Sequence, residues 1–386
     1  MKRIQRFTVV GVSIIAVTAF FFILTALSRS GEGPLARVLT DVGVFFSNLE
    51  NSVQGYFRGP GREVQLAWFD PLRRDIDSLR NPAPLLLGVY DSGLPGSLSG
   101  VVDLEAALGP TFPLIHIYTA WGDRPEQQFP KRIVTAIWNL GSVPVITWEP
   151  WLNDFENVDH PHLPLRAERD RGGLAAIANG DYDFYIDQWA SEAADFGNPI
   201  FLRFAHEMND PYRYPWGPHN NSLPDFLQAW RHVHERFQRA GAGNVLWVWS
   251  PHIAYNYYEF YPGDTYVDWA ATGVLNYGNV AYWSKWWSFR EIFGEKYVYL
   301  AALDKPIMIA EFGCLAFGGD RAEWYRLALE GLSEKYPAIK ALMFFHATGD
   351  ATVTPQALDW TLLHDSSSVT IISQEVSDWL PSTPKE

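Results

Sequence analysis

Two glutamates in this 386-residue sequence sit where a carboxylate is hard to explain as decoration. Glu207 lies in the run Arg203-Phe204-Ala205-His206-Glu207-Met208-Asn209, and Glu311 follows Pro306–Ala310, an apolar run beside which a charge is costly to bury unless it is paired or used. Read as a strand, the first run puts Arg203, Ala205 and Glu207 on one side and Phe204 and His206 on the other, so Arg203 and Glu207 point together. The plain alternative is a structural salt bridge between Arg203 and either glutamate. The chemistry that two such carboxyls perform together is cleavage of a glycosidic bond: one, protonated, assists departure of the leaving oxygen, and the other, ionised, attacks the anomeric carbon. Retaining catalysts hold the pair about 5–5.5 Å apart and inverting ones about 6.5–9.5 Å, a separation that sequence spacing does not set.

Something must carry these residues to one place. From Pro84 onward short apolar runs alternate with segments of helical period, the pattern of a parallel sheet with crossover helices. Eight runs are visible: Leu85–Tyr90, Phe112–Tyr118, Val143–Trp148, Pro199–Phe204, Asn244–Trp249, Ala270–Leu275, Pro306–Ala310 and Ile339–Phe345. Helices are expected over Pro130–Leu140, Tyr182–Phe196, Ser222–Ala240 and Arg321–Lys335, the third opened by Ser222, Pro224 and Asp225. Eight strand–helix repeats predict an α/β fold, a (β/α)8 TIM barrel, whose active site lies at the C-terminal ends of its strands. An open doubly wound sheet is the competing architecture, but Tyr90-Asp91-Ser92-Gly93 after the first run is no phosphate-binding turn. In the barrel, Trp148-Glu149-Pro150-Trp151, Glu207, Ser250-Pro251-His252, Asn276-Tyr277-Gly278, Glu311 and His346 all reach one rim.

At this point the sequence resembles a known family. Arg203–Asn209 followed by Tyr214-Pro215-Trp216 is similar to the fourth-strand signature of family 26 glycoside hydrolases, which include β-mannanases, mixed-linkage β-glucanases and β-1,3-xylanases. Ile309-Ala310-Glu311-Phe312-Gly313 resembles their nucleophile segment, 104 residues after Glu207, and Asn244–Pro251 resembles their fifth strand. The likeness runs over roughly residues 83–380. It implies a retaining double displacement with Glu207 as general acid/base and Glu311 as nucleophile, without metal or cofactor. It also implies that His206 and Asn209 contact sugar hydroxyls or orient the carboxylates, that Tyr277 hydrogen-bonds the nucleophile, and that Arg203 keeps Glu311 ionised. Trp148, Trp216 and Trp283 are candidate stacking platforms, each with a core reading beside it, and His346 is either a sugar ligand or a satisfied core histidine. The sequence departs from the family at Asp210-Pro211-Tyr212-Arg213, one residue longer than the usual loop on the leaving-group side.

Composition agrees with a glycan. The 17 Trp, 18 Tyr and 24 Phe exceed what a core of this size needs, and aromatic faces stack on the apolar faces of pyranose rings. A net charge of −14 argues against nucleic acid, which is bound by clustered Lys and Arg. A single cysteine, Cys314, rules out an intramolecular disulfide. His160-Pro161-His162 in a Pro-rich loop and the His232/His234 pair on different helix faces are poor metal sites.

Lys2, Arg3 and Arg6 precede an uncharged run of 21 residues, Phe7–Leu27, long enough to span a bilayer. The expected organisation is a membrane anchor (or signal peptide) over 1–30, a juxtamembrane spacer over 31–82 and a catalytic barrel over 83–380, monomeric and held outside the cytoplasm. The expected activity is an endo-acting β-glycanase on β-mannan or β-1,3/1,4-glucan. The alternatives are a transglycosylase or processing enzyme of a membrane polysaccharide system, and a glycan-binding barrel without turnover.

Overall fold

The computed structural model describes residues 61–379 apart from 281, 282 and 353. The anchor run Phe7–Leu27 and most of the spacer therefore lie outside the described residues, among which no helix is long and apolar enough to cross a membrane.

Eight parallel strands close into a barrel in chain order: β1 (Leu86–Asp91), β2 (Leu114–Ala120), β3 (Val143–Glu149), β4 (Ile200–Phe204), β5 (Val245–Trp249), β6 (Trp269–Asn276), β7 (Ile307–Cys314) and β8 (Ile339–His346). All eight expected runs become strands. The largest difference is at β7, which continues through Glu311 to Cys314, with register shifts against both β6 and β8 around Glu311. Such an irregularity re-aims side chains, and here it falls where a carboxylate must enter the barrel mouth.

The period-two pattern of each strand divides the core in two. Inward residues such as Leu86, Leu114, Val145, Phe201, Val248, Ala310 and Met343 fill the barrel, while Val89, Ile117, Trp148, Phe204, Trp247 and Phe344 face the helices. The helix Leu223–Arg239 starts as expected: Ser222 accepts from the Asp225 amide and the Asp225 carboxylate accepts from Ser222 in return. The expected helix over Arg321–Lys335 is split into Arg321–Leu329 and Leu332–Lys335 at Gly331, whose φ of +61° suits glycine.

The floor of the barrel is built by the C-terminal part of the stretch assigned to the spacer. Leu66, Phe69 and Leu79 pack into the interior cluster, and Trp269 donates its indole N–H to the Leu79 carbonyl. Arg62 is buried among Glu105, the Leu140 carbonyl and Ser142. The packed unit thus begins before residue 83.

Candidate active site

Toward the C-terminal mouth the inward columns turn from apolar to polar. On β2 the column reads Leu114, His116, Tyr118; on β3 it reads Val143, Val145, Thr147, Glu149; on β4, Phe201 is followed by Arg203. His116 Nε2 lies 2.7 Å from Thr147 Oγ1, and fully buried Arg203 reaches the same hydroxyl at 3.3 Å and Glu311 Oε1 at 2.6 Å. Tyr118 donates its phenol to that carboxylate oxygen at 2.8 Å.

Burial by itself would raise the pKa of Glu311, but the Arg203 charge and the hydrogen bonds from Arg203 and Tyr118 outweigh it and hold the carboxyl at about 2. Glu311 is therefore ionised at any ordinary pH. Both donors engage Oε1, so neither competes for Oε2.

Glu207 is aimed by backbone geometry. After β4 the chain turns through Ala205 at φ +44° and Glu207 at φ +52°, a left-handed region that costs a non-glycine residue about 1–3 kcal/mol. The turn is held on both sides: Ala205 N donates to the Trp148 carbonyl at 3.1 Å and Glu207 N to the Ser250 carbonyl at 2.7 Å. Arg213 Nη1, from the following loop, donates to Glu207 Oε2 at 2.9 Å. The two carboxylates converge on one point: a Cβ built on Gly273 would lie 3.5 Å from Glu311 Oε2 and 3.8 Å from Glu207 Oε1.

The other expected residues divide. His206 is buried with Nε2 3.0 Å from the Tyr214 hydroxyl, and burial followed by the Arg203 charge depresses its pKa well below the usual range, so it is neutral. Trp283 is half exposed, edge-on to Tyr277 with ring centres 5.6 Å apart, and keeps an open face. Tyr277 makes no hydrogen bond to Glu311; that place belongs to Tyr118, while Tyr277 packs between Trp283 and Trp360. Trp148 is no platform: strand alternation turns it outward, fully buried against Trp121 and Trp189. Trp216 is buried too, stacked on Tyr214 at 4.6 Å with its N–H on the His206 carbonyl, and forms a wall behind the histidine.

Two further candidates are occupied by backbone. Asn209 donates to the carbonyls of His252 and Asn256 and accepts from His252 N at 2.7 Å, tying the loop after β5 to the turn that carries Glu207. His346 accepts from Leu362 N at 3.0 Å, and burial lowers its pKa to about 4, so it is a satisfied histidine under the loop after β8.

Tyr118 was not among the expected site residues, and Glu149, Arg213 and Tyr214, though on the expected rim, signature or loop, were given no role there. For Tyr118 and Glu149 the signal was available, since period two places them inward on β2 and β3; Arg213 and Tyr214 sit on a loop whose course no periodicity gives. Among the described residues, the one set of side chains that could gather a cation is Glu207, Asp210 and His252, whose ligand atoms lie within 4.8 Å of one another.

Comparison with known proteins follows the same stretch of chain. The model of glycosyl hydrolase family 26 matches residues 171–333. Endoglucanase H of Acetivibrio thermocellus is 32% identical over 278 residues, which are 67% of this chain and 28% of that protein. A β-1,3-xylanase of a Vibrio species is 34% identical over 104 residues, 25% of this chain and 21% of that protein. The chain thus spans under a third of the length of these curated relatives. Among solved structures, a family 26 β-mannanase from Bacteroides ovatus shares the fold with a TM-score of 0.56 at 16% identity, over 82% of this chain and 94% of that one.

Proposed function

This chain belongs to glycoside hydrolase family 26, and on that premise we propose that it is a retaining, endo-acting β-glycanase in which Glu311 is the nucleophile and Glu207 the general acid/base. The observation that carries the reading is their convergence: two carboxylates, from β7 and from the turn after β4, lie within 4 Å of one point. Each carboxylate has an arginine partner, Arg203 for Glu311 and Arg213 for Glu207. Glu311 is ionised and has Oε2 turned to that point, suited to attack on an anomeric carbon. Glu207 stands across from it, where a protonated carboxyl would donate to the departing oxygen and, once ionised, take a proton from the water that releases the glycosyl-enzyme. Arg203 and Tyr118 keep the nucleophile charged and oriented for attack, and stabilise the carboxylate again as it leaves when water cleaves the glycosyl ester.

For substrate, we place β-glucan with mixed or β-1,4 linkages first and β-mannan second, since the relative matched over most of this chain is named an endoglucanase. We further propose that the barrel works outside the cytoplasm, held by the apolar run Phe7–Leu27.

The test is incubation of the full chain with mixed-linkage glucan, mannan, laminarin and β-1,3-xylan, with NMR observation of the first anomer released. Cleavage to internal fragments with retained configuration is expected. An inverted first product overturns double displacement, binding without cleavage leaves a lectin-like barrel, and chain lengthening with excess acceptor identifies a transglycosylase. Glu207→Ala should lower kcat/KM on the polymer by about 10²–10⁴-fold yet keep most of kcat/KM on an aryl glycoside with a good leaving group, which needs no proton, while kcat falls for both because the second step has lost its base.

A further inference from the structure

A third carboxyl stands on the same rim, close enough to feel the charges of Glu311 and Glu207, and the roles above do not use it. Glu149 ends β3, one inward position beyond Thr147, which Arg203 touches. One of its oxygens, Oε2, accepts from the Trp151 indole at 3.0 Å. The other, Oε1, has no hydrogen bond within the described residues and lies 3.7 Å from His206 Nδ1, too far for one. That nitrogen is buried and without a partner, while the other nitrogen of the ring meets Tyr214. A buried polar atom left unmade costs about 1–3 kcal/mol, so a structure keeps one where something arrives to satisfy it.

Resting on the family reading, we propose that Glu149 Oε1 and His206 Nδ1 form a two-point site for a single sugar hydroxyl beside the scissile linkage, making Glu149 a substrate-contacting residue that helps select the glycan. A hydroxyl is the group that fits, because it donates once and accepts twice and can bridge a carboxyl and an imidazole that do not reach each other. A neutral sugar also matches the charge around the site. Arg203, Glu207 and Glu311 act on Glu149 by charge, Tyr214 and Tyr90 feel the Glu149 charge in turn, and His206 lies beside it; the one fully buried cation among them pairs through Nη1 with Glu311.

The protonation state agrees with this geometry. Burial raises the pKa of Glu149 to about 7; the Trp151 hydrogen bond and Arg203 oppose this, and Glu311 and Glu207 add to it. Below neutrality Glu149 is a carboxylic acid that both donates and accepts. Above it, Glu149 becomes a further negative charge in a site that already holds ionised Glu311.

The experiment uses the full chain with aryl β-disaccharides of the preferred glycan, intact and singly deoxygenated at each hydroxyl of the sugar that becomes attached to Glu311. In the wild type, loss of one particular hydroxyl should lower kcat/KM by about 10- to 100-fold, and in Glu149→Ala that same deoxygenation should cost nothing more. Glu149→Gln, which keeps a donor and an acceptor but does not titrate, should lack the fall in kcat/KM that the wild type shows across pH 7. Equal losses for every deoxy substrate in wild type and Glu149→Ala, or an unchanged pH profile in Glu149→Gln, overturn the assignment while leaving the glycanase reading intact. A wild type that cleaves none of these substrates overturns both.

Discussion

At the scale of single residues the site depends on an imbalance of charge around Glu311. Its pKa is held near 2 against the ordinary 4.5 by Arg203 and Tyr118 working against burial. The sign follows directly: a depressed carboxylate is ionised at all pH values well above 2, so protonation of the nucleophile does not limit turnover in mildly acid solution. The stability that this ion pair contributes is present above about 4.5 and is lost as pH falls toward 2. Arg203→Met removes the charge that chiefly opposes burial and leaves the Tyr118 hydrogen bond, so the acid limb of the kcat/KM profile should move up by more than one pH unit; Tyr118→Phe, which removes one hydrogen bond, should move it the same way by less. A limb unmoved in both variants means that neither residue keeps the nucleophile charged. Gly273 gives a second residue-scale expectation. A methyl there meets the two carboxylates at 3.5 and 3.8 Å, ordinary contact that the fold tolerates, but it occupies space that the reacting sugar needs. Gly273→Ala should keep the wild-type melting temperature within about 2 °C and lose at least about 100-fold in kcat/KM.

At the scale of elements, the sequence was most legible where periodicity is strict. Eight apolar runs became eight strands, and the Ser222 start signal placed the longest helix among the described residues to within a residue. The same period also reads which face a residue takes, and this explains the miss at Trp148: on β3 the inward column is Val143, Val145, Thr147 and Glu149, so the tryptophan between the last two must face the helices. Loops carry no such rule. The turn after β4 bends through two positive-φ residues, and only the tertiary frame decides that Arg213 folds back onto Glu207 while Asn209 is occupied by the loop after β5. The contrast between two tryptophans makes this measurable. Trp148→Ala removes a fully buried ring and should destabilise the barrel by about 3–5 kcal/mol, seen as a lower urea midpoint, with KM for polymer unchanged in the folded fraction. Trp283→Ala removes an open ring at the mouth and should leave the urea midpoint nearly unchanged while raising KM for polymer several-fold. The reverse assignment of the two effects would place Trp148 in the cleft.

At the scale of the whole barrel, the strands end at two different surfaces: a mouth crowded with polar groups and a floor that needs a plug. Inward side chains at the bottom of β1, β2, β3 and β6, among them Leu86, Leu114, Val143 and Trp269, are apolar and meet Leu66, Phe69 and Leu79 from the segment before the first strand. Sequence alone made that segment a spacer, because two short helices, Asp70–Arg73 and Ile76–Arg80, carry too few turns for a clear period. Removing it uncovers the floor and also takes Arg62 away from buried Glu105, an ion pair of the kind whose disruption costs about 3–5 kcal/mol. Adding the lost burial of three large apolar side chains, at about 1.5–3 kcal/mol each, brings the total to the size of a whole domain's stability. A chain begun at residue 83 should therefore be insoluble or melt far below one begun at residue 61, even though every catalytic candidate is present in both. The single change Arg62→Ala in the full chain should lower the melting temperature by several degrees and leave kcat on soluble oligosaccharide within about twofold, because the floor lies at the opposite end of the strands from the carboxylates. If the shorter chain melts with the longer one, the segment is a spacer after all and the barrel closes its own floor.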